Sequence, residues 1–524
     1  MKRQINIIWV LGMLFLAGCD KGFESLNKDP NSIPQSSFNP AYLFSTVQVA
    51  TPTPHETSLY YGTTFVQQMA SLSDLGIFNF QGDKYVYLPG PNDQLWKATY
   101  GYGGTTEIPP AKLIQDIIEN IKDKPEYNNL YQMVRIWRVF IYHRLTDIYG
   151  DVPYSESGLA YYKQIYKPKY DAQKDIYTHM LAELEDATSR LDASQTNFAA
   201  FDIAYSGDIA RWKKLGYSMM LRLGMRLSKA EPSTAEGWVK KAYNGGVFTG
   251  NTDNLLIKGT DKTGAVGYLT NPISFNLSLN SAGKISKTFF DFLNSHNDPR
   301  LKYTVAVYVN PIDPNAPELT DPAIQKGLPN GLNRAMLDNE PSYDPNLPAQ
   351  EHQYSSVRRK VYANLDGPTM LITYPETQFL LAEAAVRGWI SGNAEQLYKD
   401  GVTGAMKMLS QFSDIAIISD AEINSYLTQN PFVGVADEEA ALEQINTQFW
   451  AATFLNGYEA FANVRRSGYP KLTPVNYPDN ETGGKFPRRL RYPEDERVLN
   501  ADSYNEAISR QGADEFLTPV WWDK

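Results

Sequence analysis

The residues Leu16-Ala17-Gly18-Cys19 hold the one side chain in this sequence set up for covalent chemistry. A run of small residues ending in Cys, behind an apolar segment, is the pattern at which a bacterial lipoprotein is cut and its thiol acylated. Cys19 is the only Cys in 524 residues. As a lipid anchor it buries acyl CH₂ groups at about 0.8 kcal/mol each, and more than one chain holds stably to a membrane. Used this way, it leaves no thiol for a disulfide, a Cys–metal site or a Cys nucleophile. The other reading is an ordinary secretory leader in which the Cys is incidental.

Catalytic patterns are missing. The five His (His55, His143, His179, His296 and His352) are isolated, with no H-E-x-x-H for zinc. There is no G-x-S-x-G elbow. Gly101-Tyr-Gly103-Gly104 lacks the last Gly of a dinucleotide fingerprint, Gly484-Lys485 lacks the Ser or Thr of a phosphate loop, and no EF-hand spacing occurs. Paired carboxylates for glycoside hydrolysis stay open, because 59 acids always supply pairs and the required separation is spatial. The expectation is no catalytic residue, no cofactor and no metal ligand set. The basic cluster Lys485, Arg488, Arg489 and Arg491 fits an acidic ligand or, as preferred here, pairing with Glu494, Asp495 and Glu496.

Binding chemistry is better represented. The chain carries 34 Tyr and 9 Trp, and such amphipathic rings serve binding surfaces well. The stretch Phe78-Asn79-Phe80-Gln81-Gly82-Asp83-Lys84-Tyr85-Val86-Tyr87 alternates aromatic and polar residues. Extended backbone would put Tyr85 and Tyr87 on one face, with Asn79, Gln81 and Asp83 free for hydroxyl groups. Weaker candidates are Tyr268, Asn271, Asn276 and Tyr343. The competing reading is that Phe78, Phe80, Tyr85 and Tyr87 only pack this loop onto the scaffold. Trp137, Trp212 and Trp389 are read as packing residues.

The elements that must position these groups read as helices. Lys2 and Arg3 precede an apolar run at 5–16, too short to span a bilayer. Residues 1–18 are therefore read as a lipoprotein signal peptide, 19–40 as a lipidated tether, and 41–524 as a single α-helical domain. No later stretch has the length and apolarity of a membrane-spanning helix. A net charge of −10 argues against nucleic acid. Helical periodicity appears at 41–49 and 59–72, then as apolar stripes over 130–149, 171–191 and 207–227. Ser233 and Glu236 suggest a capping box. Around 247–365 the chain turns rich in Gly, Asn, Pro and Thr, with convincing periodicity only at 286–293, and 310–353 almost structureless. Helices return at 375, with caps at Asn393 and Ser419 and one long helix expected over 437–464. The pair around 375–409 has about the length of a tetratricopeptide repeat.

Six motifs in order resemble a known family. They are Asn27-x-Asp29-Pro30-Asn31; Leu145-Thr-Asp-Ile-Tyr-Gly-Asp151-Val-Pro153-Tyr154; Tyr374-Pro-Glu376-Thr-Gln378-Phe-Leu-Leu-Ala-Glu383; Gln448-x-Trp450-x-x-x-Phe454-Leu-Asn-Gly-Tyr-Glu459; Arg465-Arg466-x-Gly468-Tyr-Pro470; and Arg491-Tyr-Pro493 with Glu496 and Asn500. With the Cys19 motif they look like the SusD/RagB family of nutrient-binding outer-membrane lipoproteins of Bacteroidetes, over essentially the whole mature chain. The resemblance implies a mainly α fold of tetratricopeptide-like helix pairs, with long irregular loops. It implies a surface-exposed lipoprotein that binds a glycan, or in some members a peptide, and delivers it to a SusC-like TonB-dependent transporter. The competing functions are a lipid-anchored glycoside hydrolase, which needs two carboxylates across a cleft, and a repeat scaffold that binds only proteins.

Overall fold

The computed structural model describes residues 39–524 except 53, 74–79, 102–108, 266–268, 280–281, 311–312 and 347–352. Cys19, the leader and nearly all of the tether lie outside the described residues. Residues Ala41–Lys524 form one compact unit. Among the described residues no helix is long and apolar enough to cross a membrane.

The first half is a stack of helices: α1 (Ala41–Ala50), α2 (Pro89–Tyr100), α3 (Pro110–Ile121), α4 (Asn128–Tyr149), α5 (Gln173–Arg190), α6 (Ile209–Arg226) and α7 (Pro232–Gly245). Successive neighbours pack together, α3 on α4, α4 on α5, α5 on α6 and α6 on α7. The stripes expected at 130–149, 171–191 and 207–227 are α4, α5 and α6. Helix α4 is buried on almost every side, so Arg138, His143, Arg144 and Asp147 are inside the protein with its apolar residues. Trp137 and Trp212 are fully buried, and Trp389 packs partly buried against the same core.

The middle of the chain is less bare than its composition suggests. It contains α8 (Pro272–Leu279) and α9 (Lys287–Ser295). Short strands run through and around it: β1 (Met69–Ser71), β2 (Val152–Pro153), β3 (Tyr170–Asp171), β4 (Leu255–Lys258), β5 (Gly283–Ile285), β6 (Val305–Tyr308), β7 (Glu318–Leu319), β8 (Ser356–Val357) and β9 (Pro368–Ile372). All pair antiparallel, as β1–β5, β2–β3, β4–β9 and β7–β6–β8. The partners in β1–β5, β4–β9 and β6–β8 are far apart in sequence, which local periodicity cannot register.

The last part returns to helices: α10 (Tyr374–Val386), α11 (Ala394–Met408), α12 (Asp420–Gln429), α13 (Glu438–Ala452), α14 (Gly457–Ser467) and α15 (Ala501–Gln511). Helix α10 packs on α11 and on α13. The expected caps are present: Asn393 accepts from Gln396 N–H, and Ser419 with Glu422 forms a full capping box.

Three local expectations are corrected. The Ser233–Glu236 box does not form, because Pro232 starts α7 earlier, at the position where its missing N–H costs nothing. The 59–72 periodicity becomes a π-helical turn over Thr57–Gly62, a short helix over Thr63–Phe65 and then strand β1. The single helix over 437–464 is two, α13 and α14, broken at 453–456, with Leu455 left-handed at φ 67. Gly457 explains the break: a Cβ there would lie 2.0 Å from the Ser58 carbonyl oxygen, so the chain must arrive as glycine against the π-helical turn.

Buried ion pairs tie the helices together. Arg222 of α6 grips Glu376 of α10 at 2.5 and 2.6 Å. Arg226 reaches Glu459 of α14 at 2.8 Å and Asp147 of α4 at 3.3 Å. Arg466 of α14 holds Glu383 of α10 through two bonds of 2.7 Å. Burial opposes ionisation of Glu383, but Arg466 outweighs it and holds the carboxyl down at about 2.

Candidate functional site

An open groove of about 480 Å³ lies on the surface, and none of the sequence candidates lines it. Its walls come from four separate segments. Gln67 follows the short helix at Thr63–Phe65, Lys287, Thr288 and Asp291 stand on the first turns of α9, and 329–331 and 473–476 complete it. Gln67 is left-handed at φ 54. Its amide donates to the Thr473 carbonyl at 2.6 Å, and its carbonyl accepts from the Thr288 hydroxyl at 2.8 Å. One side chain therefore joins three of the four walls. Ser286 caps α9 by accepting from Thr288 N–H. Asn330 donates to the Met69 carbonyl at 2.8 Å. Gly331, at φ 79, has no room for a Cβ, which would lie 2.2 Å from Val475.

Asp83 lies behind this groove rather than in it. It is fully buried. Its Oδ2 accepts from the backbone N–H of Ser71 and of Gly331, both at 3.2 Å, and its Oδ1 pairs with Lys84 at 3.0 Å. Lys84 in turn donates to the Ser71 carbonyl at 2.7 Å. Burial raises the Asp83 carboxyl and Lys84 counters it. The pair thus clamps the groove wall at Gly331 to strand β1.

The remaining candidates are distributed as follows. Phe80 and Tyr85 are fully buried, Phe80 edge-on to Tyr60 and Tyr85 edge-on to Phe65. Gln81 is also buried. Tyr85 is left-handed at φ 56, so the alternation expected for an extended stretch does not hold and Tyr85 does not share a face with Tyr87. Tyr87 is half-buried, with the Arg491 guanidinium 4.3 Å from its ring centre. Burial raises its phenol, and the hydroxyl has no partner. Asn271 is buried as a cap for α8, accepting from Ile273 and Ser274 N–H. Asn276 donates to the Tyr60 hydroxyl. Tyr343 covers a small cluster of Ala70, Leu72, Leu328, Leu337 and Tyr354 beside the groove. Phe78, Asn79 and Tyr268 lie outside the described residues.

The groove lining at Gln67, Lys287, Thr288, Asp291, Asn330 and Asn476 was not among the sequence candidates. Each is an ordinary polar residue in its own segment, and only the fold assembles them. The basic cluster also pairs differently from expectation. Arg488 meets Asp523, Arg489 meets Asp514 at 2.9 Å, and Arg491 meets Glu481 at 3.4 Å and Glu494 only at 3.9 Å. These acids come from the C-terminal fold and the preceding loop, while Glu496 turns inward to Tyr170.

The groove offers amides, hydroxyls and an exposed Lys287–Asp291 pair. Such a surface orients a polyhydroxylated ligand by hydrogen bonds. Among the described residues no group of three or more His, Asp or Glu is placed to hold a metal ion. The buried carboxylates Glu376, Glu383 and Glu459 are engaged by arginines.

The protein is thus a helical scaffold that presents a loop-built polar groove. The chain belongs to the SusD-like family, whose model, described as starch-binding and associating with the outer membrane, matches residues 30–493. Among solved structures it is similar to a chitin-binding protein, at 33% identity over 93% of this chain and all of that one, with a TM-score of 0.78. A Bacteroidetes SusD-like protein matches at 27% identity over 93% of this chain and all of that one, TM-score 0.81. A chitin-binding SusD homolog from Flavobacterium johnsoniae shares the fold at 24% identity over 92% of this chain and 98% of that one, TM-score 0.73. No curated protein matches.

Proposed function

We propose that this protein is a surface lipoprotein that binds an oligosaccharide without cleaving it and delivers it to a SusC-like TonB-dependent transporter. Acylated Cys19 anchors it to the outer membrane. The observation that carries this reading is the match, across nearly the whole chain, to a chitin-binding protein at 33% identity, within a family described as starch-binding. The groove of Gln67, Lys287, Thr288, Asp291, Asn330 and Asn476 supplies hydroxyl-binding groups, and Tyr87 and Tyr343 are candidate rings that keep part of their surface exposed. Loops on a rigid scaffold are where recognition groups usually sit.

Titration calorimetry with chito-oligosaccharides, malto-oligosaccharides and short peptides tests the ligand class, with chromatography of the bound sugar as the check for turnover. Binding of a peptide and no sugar would reassign the ligand. Cleavage that disappears on replacing one Asp or Glu would make the protein a hydrolase. Cell fractionation of Cys19→Ala tests the anchor: full retention in the outer membrane without the transporter refutes it. Affinity purification from native membranes should recover a TonB-dependent barrel.

A further inference from the structure

A second, smaller cavity lies deep between α4, β9 and α14, with a volume of about 30 Å³. That is room for one water-sized or chloride-sized species. Pro52 and Thr369 line it, and the same two residues line a wide surface cleft of about 500 Å³ beside β4. Pro52 and Thr369 thus stand between the inner cavity and this cleft.

Three residues lining the inner cavity, Arg144, Thr369 and His143, carry a buried polar atom without a hydrogen-bond partner, the last at its Nδ1. Arg144 is only 7% exposed and Thr369 only 6%. The Arg144 Nε and the Thr369 hydroxyl are both buried without a hydrogen-bond partner. The Arg144 guanidinium spends one N–H on the Thr51 carbonyl at 3.0 Å and lies over the rings of Phe140 and Tyr458. No carboxylate among the described residues forms an ion pair with it. Burial pulls it down to about 10, and Arg222 nearby adds to this.

The neighbouring charges are paired without Arg144. The carboxylates lining the cavity, Asp147 and Glu459, are engaged by Arg226, and Arg222 takes Glu376 with a longer contact to Glu459. Arg465, the next cation, is satisfied by the carbonyls of Phe461, Asp147 and Arg488. Asp523 is taken by Arg488. Arg222 and Arg226 thus have direct carboxylate partners and Arg465 has the charge of Asp523 nearby, while Arg144 meets no carboxylate directly among the described residues. Burial also holds His143, which lines the same space, well below its usual value, so it adds no further cation near neutrality. An isolated charge in such a place is costly unless something of opposite sign joins it.

We propose that this cavity is a binding site for one small monovalent anion, of chloride size, held by the Arg144 Nε–H and the Thr369 hydroxyl. The anion gives the buried Arg144 charge a direct partner. It reaches the site from the cleft beside β4, past Pro52.

Crystals of the protein grown with bromide in place of chloride should show an anomalous-scattering peak in the cavity against Arg144. Replacing gluconate with chloride at fixed ionic strength should raise the melting midpoint by something on the order of 1 °C, since a ligand of the native state stabilises it. Arg144→Met should abolish that response. Thr369→Val, which leaves the charged groups in place, should lower bromide occupancy severalfold, and it serves should Arg144→Met fail to fold. A cavity holding only water in bromide crystals overturns the proposal. So does a chloride response that persists in Arg144→Met, or bromide occupancy unchanged in Thr369→Val.

Discussion

The Asp83–Lys84 pair is the most direct handle on how the scaffold holds the groove. Both side chains are fully buried at 3.0 Å. At that separation, an effective dielectric of about 20 gives a gross attraction of about 5 kcal/mol, which largely offsets the cost of taking both charges out of water. Asp83→Asn keeps an oxygen for the Ser71 and Gly331 N–H groups but leaves the Lys84 charge with the Ser71 carbonyl and the Tyr477 ring at 5.9 Å, and no carboxylate. The expected loss is about 3–5 kcal/mol. Lys84→Met should cost less, because burial already raises the Asp83 carboxyl, which then takes up a proton. The double variant removes both charges and keeps the backbone contacts, so it should lie within about 1–2 kcal/mol of the wild type. Urea denaturation of the four proteins closes the cycle. Amide exchange at Gly331 supplies the local readout: protection should fall in Asp83→Asn and return in the double variant, with oligosaccharide affinity following it. Additive single losses, or a loss below about 1 kcal/mol in Asp83→Asn, would refute the clamp.

Tyr85→Ala removes a fully buried ring and should cost about 3–5 kcal/mol of stability. Tyr87→Ala should leave the melting midpoint nearly unchanged while weakening oligosaccharide binding by about 1–3 kcal/mol in calorimetry, by analogy with base stacking. Gly457→Ala forces a Cβ onto the Ser58 carbonyl and should lower the urea midpoint by an amount equivalent to about 1–3 kcal/mol. Glu383 has its folded value depressed from 4.5 to about 2, so its contribution is fully present above about 4.5 and lost as pH falls towards 2. That window is worth about 3 kcal/mol, and Glu383→Gln should flatten the acid limb of the stability curve, read by denaturant titration at several pH values.

How much of this was legible in the sequence depends on the range of the determining contact. Helices α4, α5 and α6 announce themselves because a stripe at period 3.6 is a local property. The caps at Asn393 and Ser419 are legible for the same reason, since the capping side chain and the N–H that donates to it lie three residues apart. The break between α13 and α14 is not, because Gly457 at the start of α14 packs against the Ser58 carbonyl and donates its N–H to the Ser58 hydroxyl, some 400 residues away. The strands fail similarly: β1 pairs with β5 across more than 200 residues and is only three residues long. Among the candidate residues, aromatic content pointed to the loop at 78–87 without telling a stacking face from a packing one. Tyr85 faces Phe65 and Tyr87 faces Arg491, and nothing in their alternation separates them. The resemblance to the SusD/RagB family reached further because its motifs span the chain.

The same long-range contacts explain how a helical core sets the shape of a loop-built groove. Trp450 of α13 donates its indole N–H to the Val66 carbonyl at 2.9 Å, and Gln68 donates its amide to the Trp450 carbonyl at 2.7 Å. The residue between these two anchors is Gln67, which spans three walls of the groove. Helix α13 therefore fixes Gln67 from behind, while Asp83 fixes Gly331 from the strand side. Lys287, Asp291 and Asn476 lie outside this framework, and Lys287 and Asp291 pair only with each other at the surface. Changes at Trp450 or Asp83 should alter the groove's shape and stability together, whereas changes at Lys287, Asp291 or Asn476 should alter ligand preference with the fold unchanged. A site with a fixed back and a changeable lip can take a new sugar without a new scaffold.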